Sequence, residues 1–198
     1  MSSPFEQWND DDLADLIAAN PLAWITPFAD PAIATPMPVL LIRNDDGKPT
    51  GLLGHLPKRH PMVSVLTADQ RALFLFQGPH SYISPAWIDT PDWAPTWNFA
   101  VARVEASVAF DDGLTDQALT HLVDHMEKMH PSGWTISGLG DRYNDLKARV
   151  IGFSATISSV TARFKLGQDE RPEIFEQIVS GLGDDPLVQW MRRFASRN

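Results

Sequence analysis

The sequence has no cysteine in its 198 residues. That removes disulfides, thiolate nucleophiles, iron–sulfur clusters and Cys-type zinc sites in one step. Basic residues are scarce as well: 16 Lys and Arg against 25 Asp and Glu leave a net charge of −9. A protein that neutralises nucleic-acid phosphates usually carries the opposite excess, so direct DNA binding is doubtful. Long apolar runs are also missing. The longest, Pro38-Val39-Leu40-Leu41-Ile42, is strand-sized and far short of a bilayer span. The opening residues, Met1-Ser2-Ser3-Pro4-Phe5-Glu6, have neither the basic nor the apolar stretch of a secretory signal, and a cytoplasmic protein is expected. No Gly-x-Ser-x-Gly elbow, Gly-rich phosphate loop or His-Glu-x-x-His motif occurs.

What the chain does have is tryptophan and proline, 7 and 16 of them. Proline at that density breaks long helices and favours turns and edge strands. Tryptophan suits cores, interfaces and flat ligands. The length fits one domain spanning residues 1–198, with a helical C-terminal segment over about 171–196.

Apolar patterning predicts a short helix over 9–19, capped by Asn9 or Asp10, and a strand over 22–26. Strands over 38–43 and 50–55 flank Asn44-Asp45-Asp46-Gly47-Lys48-Pro49, a hairpin signal. Further strands are expected over 72–77, 97–110 and 150–166. Gly78-Pro79-His80 reads as a turn. Helices are expected over 115–129, with Leu119, Leu122, Val123, Met126 and Met129 on one face, and over 172–182. A last helix has Asp185 as its cap and Pro186 in its first position. Residues 131–149 read as a loop with about one helical turn. Some six strands without a helix between each pair disfavour a parallel sheet and favour a small antiparallel barrel.

Three groups of residues stand out chemically. His121 and His125 lie four apart on one helix face, near His130, and can present two imidazoles to an ion or stand solvated on the polar face. The stretch Gly51-Leu-Leu-Gly-His-Leu-Pro-Lys-Arg-His-Pro61 ends in His55, Lys58, Arg59 and His60. Lys and Arg at a strand end suit a phosphate, or form a solvated basic turn. The stretch Phe76-Gln-Gly-Pro-His-Ser-Tyr-Ile-Ser-Pro-Ala-Trp87 crowds hydroxyls and aromatics, with Ser81, Tyr82, Ser84 and Trp87 as candidate ligand contacts or members of a rigid loop.

Taken in order, GLLGHLPKRHP, FQGPHSYISPAWI, PTWNF and VIGFSATISSVTARFKLGQ resemble the successive motifs of the PaiB-type FMN-binding proteins, named as negative transcriptional regulators. The resemblance runs along nearly the whole chain. It implies a split β-barrel of antiparallel, Greek-key type, related to pyridoxamine-phosphate oxidase and the small flavin reductases. It further implies a homodimer binding FMN at the subunit interface. Carried over by motif, the cofactor-binding residues are His55, Lys58, Arg59, Gln77, His80, Ser81, Tyr82, Ser84, Trp97, Asn98, Lys165 and Gln168. Lys58 and Arg59 are the phosphate candidates, and the Trp97 segment is expected against the partner's flavin. The sequence departs from the family pattern at Pro36, at His60 where Asn is usual, and at Gly167 and Asp169 where Ser and Asn are usual. His55 and His80 can titrate near neutrality or serve as hydrogen-bonding structural residues. Besides a regulatory FMN protein, two readings stay open: a flavin-dependent oxidoreductase using NAD(P)H, and a haem-handling barrel with His80 or His130 as its exposed histidine.

Overall fold

Six segments form strands, and in three of them, 22–27, 71–78 and 96–110, buried side chains recur at every second position. The computed structural model describes residues 3–129 and 133–197; His130 and the Met129 side chain, both named above, lie outside the described residues. The strands are β1 (Leu22–Pro27), β2 (Thr35–Arg43), β3 (Pro49–Pro57), β4 (Arg71–Ile83), β5 (Thr96–Phe110) and β6 (Val150–Lys165). They close a mainly antiparallel barrel in the order β1-β2-β3-β6-β5-β4. The helices are peripheral: α1 (Asp10–Ala19), α2 (Pro61–Ala68), α3 (Thr115–Met129), α4 (Arg142–Lys147), α5 (Pro172–Leu182) and α6 (Leu187–Ala195). None of the described helices is long and apolar enough to cross a membrane. The chain divides into two compact units. The barrel unit comprises Ile17–Phe76 and Arg103–Val160; the helical unit comprises Met1–Leu16, Gln77–Ala102 and Thr161–Asn198.

In the barrel unit the expected hairpin forms at Asn44–Lys48. Gly47 takes φ +78, its N–H donates to the Asn44 carbonyl at 2.8 Å, and the Asn44 side chain accepts from Lys48 N–H at 2.9 Å. Strand β2 starts earlier than its apolar run, at Thr35, and so includes Pro36 and Pro38. Both prolines sit where β2 pairs with β1, before its pairing with β3 begins at Val39, so a missing N–H costs nothing on that edge. Phe74, Leu52, Leu56, Val104 and Val108 fill the interior. Gly54 faces Phe153 across the β3–β6 ladder, and an ideal Cβ there would lie 2.6 Å from the Phe153 ring. The ring takes the space that a side chain at 54 would need. Helix α3 docks through Thr115, whose hydroxyl accepts from the Gly152 N–H at 2.9 Å.

Three local expectations need correction. Gly78-Pro79-His80 is not a turn but part of β4, whose burial alternation changes phase between Gly78 and His80. Glycine is required there because a Cβ at 78 would meet Leu16 of α1 at 2.4 Å. Helix α2 falls where no element was expected: Pro61 stands at the first helical position, where its fixed φ favours the helix. The last helix starts at Leu187 with Pro186 as N-cap, although the Asp185 carboxylate still accepts from Leu187 N–H at 2.8 Å.

The helical unit is held by packing and by one buried carboxylate. Phe164 stacks on Phe194 with centroids 4.8 Å apart and on Trp190 at 5.8 Å. Gly181 of α5 meets Trp87, whose ring would lie 2.3 Å from a Cβ at that position. Asp12 is fully buried and forms a reciprocal cap with Asn9: each backbone N–H donates to the other side chain, at 2.9 and 3.0 Å. Its carboxylate also takes both terminal nitrogens of Arg197, at 2.6 and 2.7 Å, and Arg193 at 2.9 Å. Burial works against this charge. The Arg197 hydrogen bonds, the Asn9 N–H and the two guanidinium charges outweigh it and hold the carboxyl below its ordinary value.

Replacing Asp12 with Ala is expected to cost about 2–3 kcal/mol, less than the ~3–5 of a fully buried pair, because both arginines keep roughly a third of their side chains in water. The carboxyl is lowered, so its contribution is complete above the ordinary carboxylate range and disappears as pH falls through the native value. Urea unfolding at neutral and at acidic pH checks both: the gap between wild type and Asp12→Ala should close in acid.

Candidate functional site

The predicted site residues fall into the two units, three in the barrel unit and nine in the helical unit. In the barrel unit, β3 ends at Pro57, opposite Val150 at the start of β6. The ladder continues one step further, with Lys58 N–H donating to the Arg149 carbonyl at 2.9 Å. Lys58, Arg59 and Arg149 therefore line one cleft of about 600 Å³, together with Pro57 and Ala148. Lys58 also pairs with Asp112 at 2.8 Å. Arg149 stands in no recognisable motif. The only sequence signal for it is that it precedes the strand pairing with β3, and the register that aligns it with Lys58 is a tertiary fact.

His60 is occupied: Nδ1 accepts from Met62 N–H at 3.2 Å as the cap of α2, and Nε2 lies 3.4 Å from the Thr35 hydroxyl. A side chain able to cap a helix is what Asn would also supply at this position. His55 faces Gly152 across the ladder, and its Nδ1 is buried without a hydrogen-bond partner. Burial lowers its pKa from the ordinary value and favours the neutral ring.

In the helical unit the structure brings His80, Tyr82 and Trp97 together. The Trp97 ring lies 5.9 Å from His80 and 6.0 Å, edge-on, from Tyr82. Trp97 is 52% exposed and Tyr82 44%, so the group presents aromatic surface to solvent. Lys165 holds the segment by donating to the Thr96 hydroxyl and to the Trp97 carbonyl, the latter at 3.1 Å. Gln77 is exposed and Ser81 half-buried on the same strand, β4.

The remaining candidates have structural partners. The Ser84 hydroxyl accepts from Ala86 N–H at 3.2 Å, capping the 3-10 turn Pro85–Trp87. Asn98 is 2% exposed and its amide donates to the Met191 sulfur at 3.9 Å. Gln168 accepts from Leu166 N–H at 2.7 Å and donates to the Phe164 carbonyl at 2.5 Å. Gly167, beside it, takes φ +83, which a Ser would adopt only under strain. Trp87 is packed against Gly181. His125 donates from Nε2 to the Ala18 carbonyl at 2.7 Å, and among the described residues no three potential ligands gather around a metal position.

The donor set suits a phosphate: three cations around one cleft, partly offset by a single carboxylate, in a chain of net charge −9. The class so defined is a six-stranded, mainly antiparallel barrel with a cationic strand end. The chain belongs to the family described as "Putative FMN-binding domain", which matches residues 1–159, and its cofactor is FMN. Within that family the motifs are PaiB-like. The chain is 27% identical to the Bacillus subtilis protease synthase and sporulation protein PAI 2 over 157 residues, covering 77% of this chain and 73% of the relative. An uncharacterised Saccharomyces cerevisiae protein is 30% identical over 117 residues, 56% of this chain and 69% of that one. Among solved structures, the FAD and heme binding protein from Mycobacterium smegmatis has a TM-score of 0.59 at 16% identity, over 87% of this chain and 78% of its own. The flavocytochrome Anf3 from Azotobacter vinelandii also has a TM-score of 0.59, at 15% identity, over 80% and 68%. At such identities the two structures establish the shared fold.

His55 is expected to titrate below the ordinary histidine value of ~6.5 in an NMR pH series. A histidine held neutral in the native state supports folding above its unfolded pKa and loses that support as pH falls below it. His55→Gln should therefore flatten the decline in stability between about pH 7 and 5, measured by thermal unfolding.

Proposed function

We propose that this protein is a homodimeric, cytoplasmic FMN-binding regulator of the PAI 2 kind, whose regulatory effect does not pass through direct DNA contact. The cluster of Lys58, Arg59 and Arg149 around the barrel-unit cleft carries this reading. It is the cation arrangement that the doubly charged phosphate of FMN needs, with guanidiniums forking oxygens and the ammonium adding a point charge. His55, neutral and carrying an unpaired buried nitrogen, offers a further hydrogen-bonding group near this strand end. The exposed face of His80, Tyr82 and Trp97 suits a planar ring. When bound, FMN supplies one- and two-electron transfer; the chain's own part is to hold and orient it. The dimer is supported by apolar surface on the barrel unit. Leu22 and Trp24 of β1 are 60% and 50% exposed, and their cross-strand neighbours on that face are Pro38, Pro36 and Leu75. An isologous contact would cover such a stripe.

The double substitution Lys58→Ala/Arg59→Ala should weaken FMN by about 10–100-fold while changing riboflavin, which lacks the phosphate, by far less. Fluorescence titration of both ligands checks this, and equal loss would move the phosphate elsewhere. The FMN-loaded protein should sediment as a dimer at low micromolar concentration.

A second reading, a flavin-dependent oxidoreductase using NAD(P)H, is favoured by the solvent-facing aromatic group, which leaves room for a second planar substrate. The regulatory reading expects no competitor-resistant footprint on duplex DNA at physiological salt and no steady oxidation of NADH or NADPH with FMN present. Turnover would put the oxidoreductase first, and a footprint would overturn indirect action. An absorption spectrum with a haem Soret band in place of flavin bands would overturn both.

A further inference from the structure

Beyond residue 159, where the family match ends, the helical unit contains a second cleft, apart from the Lys58–Arg59 and Trp97 groups on which the flavin reading rests. Its volume is about 570 Å³, inside the ~300–1,000 Å³ of small-molecule pockets. The floor is apolar. Gly167, with φ +83, has no Cβ, and the position one would occupy lies 3.3 Å from both Phe175 and Met191. Phe175 is buried, and Ala195 of α6 leaves the opposite wall low.

The rim is charged, and its charges do not cancel. Arg192 donates from both terminal nitrogens to the two Glu176 oxygens, at 3.2 Å each, so that pair is neutral. The first turn of α5 and the last turn of α6 both border the cleft, and their opposite partial charges offset one another. Glu170 remains, on the turn closed by its own N–H to the Gly167 carbonyl at 3.1 Å. Trp93 hydrogen-bonds to it and Lys165 and Arg171 act on it electrostatically, but none of the three lines the cleft. Burial and the neighbouring Asp169 hold its carboxyl above the ordinary value despite them. The lining has one cation, Arg192, which is taken by Glu176, so within the cleft Glu170 faces none. A bound ammonium would supply one, while an aromatic or compact apolar body covers the floor.

We propose that this cleft binds a small monocationic amine with an aromatic or compact apolar body, the ammonium on the Glu170 carboxylate and the body over Phe175. Gln168, which the family motif assigns to the flavin, also borders this cleft, but its side chain is held by Leu166 N–H and the Phe164 carbonyl and takes no part in the amine site, so failure here would leave the FMN reading untouched.

The test uses the full chain and three probes of one shape: phenethylamine, phenethyl alcohol as the neutral analogue, and 3-phenylpropionate as the anion. Backbone amide shifts over residues 167–196 report binding by NMR. The amine should give saturable shifts confined to that segment, the alcohol should bind at least about tenfold more weakly, and the anion not at all. Glu170→Gln should weaken the amine about tenfold. Ala195→Leu, which fills the cleft without removing a charge, should abolish binding. Flavin absorbance should be unchanged in both variants, which shows that they are folded. The proposal is overturned if the alcohol or the anion binds as tightly as the amine, if the amine gives no saturable shift into the millimolar range, or if folded Glu170→Gln binds as wild type does.

Discussion

The antiparallel ladder that runs from Gly51–Thr156 to Pro57–Val150 is the contact on which the barrel unit depends. It sets Gly54 against Phe153, so that the ring fills the barrel where a side chain would otherwise stand. It sets His55 opposite Gly152, whose bare Cα lets the start of α3 approach; a Cβ there would lie 2.6 Å from the Thr115 nitrogen. One step beyond its end it brings Lys58 to Arg149. A slip of one residue would turn every one of these side chains to the other face of the sheet. Core packing, helix docking and the cation cluster are thus specified by a single register.

Charge is arranged by the same economy. The chain carries −9, and several of its described arginines and lysines are committed to carboxylates: Arg193 and Arg197 to Asp12, Arg192 to Glu176, Arg71 to Asp69, Lys147 to Asp116 and Arg163 to Glu6. The pairs on the surface contribute little to stability. The Asp12 pair differs because the carboxylate is fully buried, and it joins the first helix to the last residues of the chain. Against that background the grouping of Lys58, Arg59 and Arg149 around one cleft is unusual, and an anionic ligand is its simplest physical use. The terminal segment adds a separate chamber, built from a turn and two helices beyond the stretch shared with the family.

Local chemistry made several elements readable from the sequence alone. Asp46-Gly47 between apolar runs specifies its hairpin through the positive φ of Gly47. The apolar stripe of Ile174, Phe175, Ile178 and Val179 specifies α5, and alternation over 97–110 specifies β5. The aromatic and hydroxyl motif at 76–87 and the Lys58-Arg59 strand end drew notice as motifs, because residue types that bind phosphate or stack on rings are recognisable without a fold. What those motifs could not disclose was division of labour. Ser84, Asn98 and Gln168 sit in motif positions, yet each spends its side chain on holding the protein together.

Period, turn residues and side-chain type within a few positions suffice for the barrel class, the hairpin, the amphipathic helices and the chemical character of the phosphate candidates. That Gly78-Pro79-His80 continues a strand is a matter of packing at a distance, since the side chain that requires Gly78 is Leu16, more than sixty residues away. The same holds for Arg149 beside Lys58, for the burial of Asp12 under two arginines from the far end of the chain, and for the carboxylate of Glu170 at the second cleft. These are contacts between residues distant in sequence, and no local pattern carries the register or the packing that creates them.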